Sequence, residues 1–174
     1  MIASLEILQM HDIVHQDLKG VNILITSTNW RKLKLVIGDL GVATHVGSQK
    51  FFGYGTRFYQ PPEIITGRQR DPQFTQDIYA LGMILAELVA PDLQTKFKCH
   101  FPDGFTKQCF EKLMNTINAH FWEEFGGKIT AVLMMLLKPN PNNRITLAEF
   151  KLKFNKEIDN YNPKYHSGGL KLED

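Results

Sequence analysis

Cysteine is nearly absent from this chain: 174 residues hold two, Cys99 and Cys109. Two thiols make no disulfide framework, so the fold must rest on its core. Cys99, His100, Cys109 and His120 also lack a C-x-x-C knuckle, which speaks against a zinc site. The cysteines then read as ordinary thiols of a reduced, cytoplasmic compartment. Charge of one sign is missing too. Lys and Arg number 20 against 18 Asp and Glu, a net +2. That is too little to direct the chain to nucleic acid or to an anionic membrane surface. No long apolar run occurs. The most apolar window, residues 129–137, is far shorter than the roughly 20 residues of a bilayer span. Met1 is followed by neither the basic stretch nor the apolar core of a secretory signal. No internal repeat is present. The first Lys is Lys19 and the first Gly is Gly20.

What is there is ordinary in bulk. Hydrophobic residues make up 43% and charged residues 22%, the balance of a soluble globular domain. A chain of this length fits one domain and can bury roughly 70% of its unfolded surface.

The information lies in four short blocks. The first is Ile13-Val14-His15-Gln16-Asp17-Leu18-Lys19-Gly20-Val21-Asn22. The second is Ile37-Gly38-Asp39-Leu40-Gly41, and the third is Gly55-Thr56-Arg57-Phe58-Tyr59-Gln60-Pro61-Pro62-Glu63. The fourth pairs the segment from Thr75 to Leu88, with Asp77 near its start, with Pro141-Asn142-Asn143-Arg144-Ile145-Thr146. In this order they resemble a eukaryotic-type protein kinase: its catalytic loop, its metal-binding loop, the end of its activation segment, and its central buried helix with the Arg-bearing segment beyond. Twenty-four positions separate Asp39 from Glu63, a length typical of a kinase activation segment. The resemblance covers about residues 2–157.

The resemblance implies roles with physical reasons behind them. Phosphoryl transfer needs an acceptor hydroxyl held in line, a carboxylate to take its proton, and metal ions to neutralise phosphate charge. Asp17 stands where the family has that base, and Lys19 where a cation meets the transferring phosphate. Lys at this spacing resembles serine/threonine kinases more than tyrosine kinases. Asn22, five after Asp17, and Asp39 offer oxygen ligands suited to Mg2+, a hard cation. They are the implied metal and cofactor ligands for Mg2+ and ATP. Gly55 and Thr56 are implied to shape the substrate groove. His15, Glu63, Asp77 and Arg144 are implied to be structural: Asp77 holds the catalytic-loop backbone and Arg144 pairs with Glu63. Two positions depart from the pattern. Gln16 replaces the Arg of His-Arg-Asp, and a neutral amide cannot make the charge-assisted bonds by which that Arg meets a phosphorylated residue. Residues 42–60 are therefore expected to order without phosphorylation, although Thr44, Ser48 and Thr56 carry hydroxyls. Leu40 replaces the Phe of Asp-Phe-Gly, one apolar residue for another.

Since neither a Gly-rich loop nor a Lys precedes Lys19, the expected match is to the C-terminal lobe of a kinase without its N-terminal lobe. Two functions stay open. One is a serine/threonine kinase catalytic lobe, incomplete and weak or inactive as the isolated chain. The other is a truncated, pseudokinase-like module that binds a substrate or scaffolds a partner. The expected partner in either case is a protein, not nucleic acid and not a membrane.

The expected fold is mainly α, a kinase-like C-lobe with a short β-hairpin carrying the catalytic and metal-binding loops. Residues 2–11 read as a helix end, with Ile2, Leu5, Leu8 and Met10 facing a core. Residues 21–26 and 33–37 read as two strands that place Asn22 and Asp39 at neighbouring ends. Residues 42–60 show no helical or strand periodicity. Helices are expected over 75–89, 106–121, 128–137 and 146–157, the last opening on a Thr146/Glu149 capping box. Residues 91–105 read as loop. The domain is expected to span 1–158, followed by a polar, flexible tail over 159–174.

Overall fold

The structure, a computed structural model, describes residues 1–27, 34–48, 54–69, 71–97 and 106–160. The chain is mainly helical, in the order α1 (Ile2–Met10), β1 (Ile13–Val14), β2 (Ile23–Ile25), β3 (Leu35–Ile37), β4 (Thr44–His45), α2 (Pro62–Ile65), α3 (Phe74–Val89), α4 (Leu93–Phe97), α5 (Lys107–Met134) and α6 (Leu147–Asp159). The zinc-site candidates Cys99 and His100 and the tail from residue 161 lie outside the described residues.

At the centre is α3. Its sequence is apolar nearly all round, which suits a helix enclosed by others. Ile78, Leu81, Met83 and Ile84 are buried, and α5 packs against it. Asp77 lies in its first turn, where the helix dipole favours an anion.

The two helices expected over 106–121 and 128–137 are joined into α5, and Gly126 explains how. Its backbone (φ 72°, ψ 177°) is non-helical and belongs to a region that essentially only glycine enters. The arm before it buries Phe110, Leu113, Ile117 and Phe121, and the arm after it buries Ile129, Val132 and Leu133. A kink thus lets one run of chain cover two sides of the core. The last helix opens as its sequence implies. The Thr146 hydroxyl accepts from Glu149 N–H at 3.2 Å, and the Glu149 carboxylate accepts from Thr146 N–H at 3.1 Å. Two otherwise orphaned donors are satisfied reciprocally.

On α1, Leu5 is buried while Ile2 and Leu8 pack against the core. Met10, expected to join them, is 80% exposed. Five residues past Leu5 is about 140° round the helix, so the spacing that serves Leu8 turns Met10 outward. A 2.7 Å ion pair between Glu6 and Lys151 fastens α1 to α6.

The hairpin is antiparallel, pairing Ile23 with Ile37, Leu24 with Val36 and Ile25 with Leu35. Its first strand is shorter than the expected 21–26, because Gly20–Asn22 forms a 3-10 turn that delivers Asn22 to the strand. A second pairing was not expected: β1 joins β4, Ile13 to His45 and Val14 to Thr44. Strands of two residues have no period to read, so only the meeting of distant segments creates them. For the same reason α4 lies in a stretch expected to be loop, and α2 in one where no element was expected.

Arg144 holds the lower half together. Its guanidinium, with no exposed side-chain surface, binds both Glu63 oxygens, at 2.7 and 3.0 Å. It also donates to the carbonyls of Thr75 (2.7 Å) and Lys138 (2.9 and 3.0 Å). It lies over the Tyr79 ring, 5.2 Å from its centroid. Removing one member of a buried pair strands the other charge, at a cost of about 3–5 kcal/mol. Arg144→Ala is therefore expected to destabilise the fold by that amount in chemical denaturation; a loss below about 1 kcal/mol, the scale of a surface pair, would show that the contact carries no weight.

Candidate active site

The catalytic-loop candidate runs from β1 to Asn22 and is braced from below. Asp77 accepts from His15 N–H at 2.7 Å and from Gln16 N–H at 3.0 Å, one on each carboxylate oxygen. Gln16 has φ 66°, in the left-handed region that a residue with a Cβ seldom enters. The Asp77 bonds help hold it there, since such strain persists only where the surroundings over-determine it. Burial pushes the Asp77 carboxyl up to about 6, against the pull of the two N–H donors. His15 is fully buried. Its Nδ1 accepts from Asp17 N–H at 3.3 Å, which leaves Nε2 to donate to the Gly38 carbonyl at 2.9 Å. This one ring bridges the candidate base to the residue before Asp39.

Asp17 is gripped through both oxygens. Thr56 N–H donates to Oδ1 at 2.6 Å and Lys19 Nζ to Oδ2 at 2.6 Å. Lys19 also donates to the Thr56 hydroxyl at 2.9 Å. Asp17, Lys19 and Thr56 thus form a closed triangle, although Thr56 lies 37 positions beyond Lys19. Burial alone raises the Asp17 carboxyl. The bonds from Lys19 and Thr56 together outweigh it and hold the group below the ordinary carboxylate range. Asp17 is therefore ionised at neutral pH. The stability its contacts contribute is present above the ordinary value of 3.8 and lost as pH falls through the lower folded value. Gly55 explains how Thr56 comes so close. Its φ is 105°, and a Cβ there would collide with the Gln16 carbonyl oxygen.

Asn22 is linked to Asp39 through the backbone of Gly38. Gly38 N–H donates to the Asn22 carbonyl at 2.8 Å, extending the hairpin past its last pair. Asn22 spends its amide N–H on the Asp17 carbonyl at 2.9 Å, so its Oδ1 is the atom left for a ligand. Asp39 is exposed, with φ 60°. Among the described residues its carboxylate has one long contact, of 3.4 Å, from Gly41 N–H. Among the described residues no group of three or more His, Cys, Asp or Glu gathers as a metal site. One carboxylate and one amide oxygen suit Mg2+, which takes most of its remaining ligands from water and phosphate.

Three features were not read from the sequence. The Gln16 side chain donates to the Val42 carbonyl at 2.7 Å. Tyr59 donates its hydroxyl to the Glu87 carboxylate of α3 at 2.5 Å, and burial with that carboxylate raises the phenol well above its usual range. The Leu24–Val36 cross-strand pair lies on the surface, Leu24 being 53% exposed. The last had a signal: alternation along the β2 run puts Leu24 opposite to Ile23. The first two join residues 26 and 28 positions apart, and nothing local marks them.

The protein kinase domain family matches residues 1–153, and the chain belongs to that family. Relatives carry the same stamp. A probable serine/threonine-protein kinase of Dictyostelium discoideum, fhkC, is 29% identical over 84% of this chain and 24% of its own length. A carbon catabolite-derepressing protein kinase of Candida albicans is 31% identical over 85% of this chain and 22% of its own length. An Aurora kinase of Debaryomyces hansenii is 27% identical over 84% and 33%. The chain thus spans between about a fifth and a third of the length of these three relatives. No helix among the described residues is long and apolar enough to cross a membrane.

The triangle at Asp17 makes a measurable claim. The Lys19 bond is the largest of the influences that lower the Asp17 carboxyl. Lys19→Met should raise the Asp17 titration midpoint, followed by NMR of the side-chain carboxyl carbon. An unchanged midpoint would mean that Lys19 does not partner Asp17 in solution.

Proposed function

We propose that this chain forms the C-terminal catalytic lobe of a protein serine/threonine kinase, which transfers the γ-phosphoryl group of ATP to a protein hydroxyl. The observation that carries the reading is the ionised Asp17, held by Lys19 and Thr56 in a loop whose far end, Asn22, is bonded to Gly38, the residue before Asp39. Asp17 accepts the proton of the acceptor hydroxyl. Lys19 sets its ammonium next to the transferring phosphate. Gly55 and Thr56 form the wall along which the acceptor segment lies, and the Thr56 N–H keeps Asp17 aimed at it. Asn22 Oδ1 and the Asp39 carboxylate are the ligands for Mg2+. Bound Mg2+-ATP supplies the phosphoryl group and the cation that neutralises its charge. His15, Asp77, Glu63 and Arg144 touch no reactant; they hold the loops that do. Leu24 and Val36 offer an apolar surface of the kind a flat base can cover. Catalysis of this type rests on positioning and charge stabilisation, and both depend on the loops being held rigidly.

A second reading, a binding module without activity, is favoured by exposed apolar side chains in and beside the hairpin. Val21 is 79% exposed, Ile25 66% and Leu40 53%. Apolar side chains exposed together mark a contact surface when they are contiguous. Titration calorimetry of Mg2+-ATP into residues 1–174 tests whether this lobe acts by itself. These residues contain no Lys or Gly before the catalytic loop to hold the α- and β-phosphates, so weak binding and little transfer are expected. Micromolar binding with transfer to a generic protein substrate would establish a self-sufficient lobe.

The division of roles has its own test. In an active kinase polypeptide that contains these residues, Asp17→Asn should lower turnover by about 10²–10⁴-fold, the usual contribution of a positioned general base, with ATP affinity nearly intact. Asp39→Asn should weaken Mg2+-ATP binding as well as turnover. Equal effects of the two substitutions on ATP affinity would overturn the assignment.

A further inference from the structure

We infer that Gln16 is a positioning residue for Asp39, acting through a clasp on the chain that follows it. Three parts of the fold converge on this one residue. Its main-chain N–H is held by Asp77 of α3 at 3.0 Å. Its carbonyl oxygen faces Gly55, where only a missing Cβ gives it room. Its side-chain amide donates to the Val42 carbonyl at 2.7 Å.

Asp39 cannot hold its own place. It is exposed, its backbone is left-handed at φ 60°, and among the described residues its carboxylate reaches only the Gly41 N–H at 3.4 Å. Such a backbone persists only where neighbours impose it. On one side the imposing contact is Gly38 N–H to the Asn22 carbonyl at 2.8 Å. On the other side it is Gln16 to Val42, three residues past Asp39. Beyond Val42 the segment is carried on by the pairing of Val14 with Thr44 and by Val46 N–H to the Asp12 carbonyl at 2.9 Å. Asp39 is thus suspended between two clasps, and both start from the loop that bears Asp17. Through Gln16 the position of the candidate metal ligand is referred to Asp77, the same carboxylate that sets the catalytic loop.

The chemistry of the clasp matters. Its acceptor is a neutral carbonyl, so a neutral donor suffices and no charge has to be brought in by modification. Both partners are encoded in the chain. The order of residues 39–46 therefore does not wait for a phosphate. The inference concerns where Asp39 is held and stands whether or not the chain transfers phosphate.

The test is amide hydrogen exchange read by mass spectrometry on residues 1–174. Gln16→Met keeps the length of the side chain and removes the donor. Peptides covering 39–46 should then exchange about two- to tenfold faster, the opening expected when one partly buried hydrogen bond is lost, while α5 and α6 stay at wild-type rates. Gln16→Arg, which restores an N–H donor of sufficient reach, should bring 39–46 back towards the wild-type rate. Phosphatase treatment of the wild type should leave that rate unchanged. Unaltered exchange of 39–46 in Gln16→Met would overturn the inference. So would acceleration spread equally over α3, α5 and α6 or outright failure to fold, because either means general destabilisation. A Gln16→Arg protein that exchanges like Gln16→Met would show that the donor is irrelevant.

Discussion

A guanidinium with no contact with solvent is the constraint around which this protein is arranged. Taking Arg144 out of water is costly, and a single carboxylate does not offset that cost unless the remaining donors are also satisfied. Here Nε and both terminal nitrogens find acceptors, in Glu63, Thr75 and Lys138. Those acceptors belong to α2, to the start of α3 and to the turn after α5. None can move without leaving either a buried charge unpaired or a buried guanidinium N–H without an acceptor. The ion pair therefore does more than add stability: it requires three separate segments to meet at one point.

The consequence reaches the site through α3. Thr75, whose carbonyl Arg144 binds, lies two residues before Asp77, whose carboxylate holds His15 and Gln16. A rigid helical turn thus joins the buried cation to the buried anion, and the anion to the candidate catalytic loop. Asp77 and Asp17 show how environment divides two identical groups. Asp77 is enclosed, and burial raises it to about 6. Asp17 is only partly enclosed and receives bonds from Lys19 and Thr56 that outweigh burial. One carboxylate is a brace and the other is ionised at neutral pH, as pKa differences of this kind arrange.

Legibility from the sequence varied with the range of the interaction. The capping box of α6, the enclosed character of α3 and the apolar stripe of α5 follow from residues three or four apart, because helix geometry brings such neighbours together. Asp17, Lys19, Asn22 and Asp39 could be singled out because they fall in short blocks with a recognisable order. Met10 misled, since a spacing of five rotates a side chain off the helix face. The β1–β4 pairing was invisible, because two residues carry no period.

The sequence by itself determined the family, the helical character and the residues whose chemistry suits phosphoryl transfer, for these are properties of types, spacings and order along the chain. The tertiary structure alone decided that Thr56 meets Lys19 and Asp17, that Gln16 spends its amide on Val42, and that Tyr59 finds Glu87. Each of these contacts joins residues far apart in the chain. Each depends on a backbone brought round by the core, the Thr56 contacts also on glycine at position 55, and such closeness is a product of packing that no local pattern encodes.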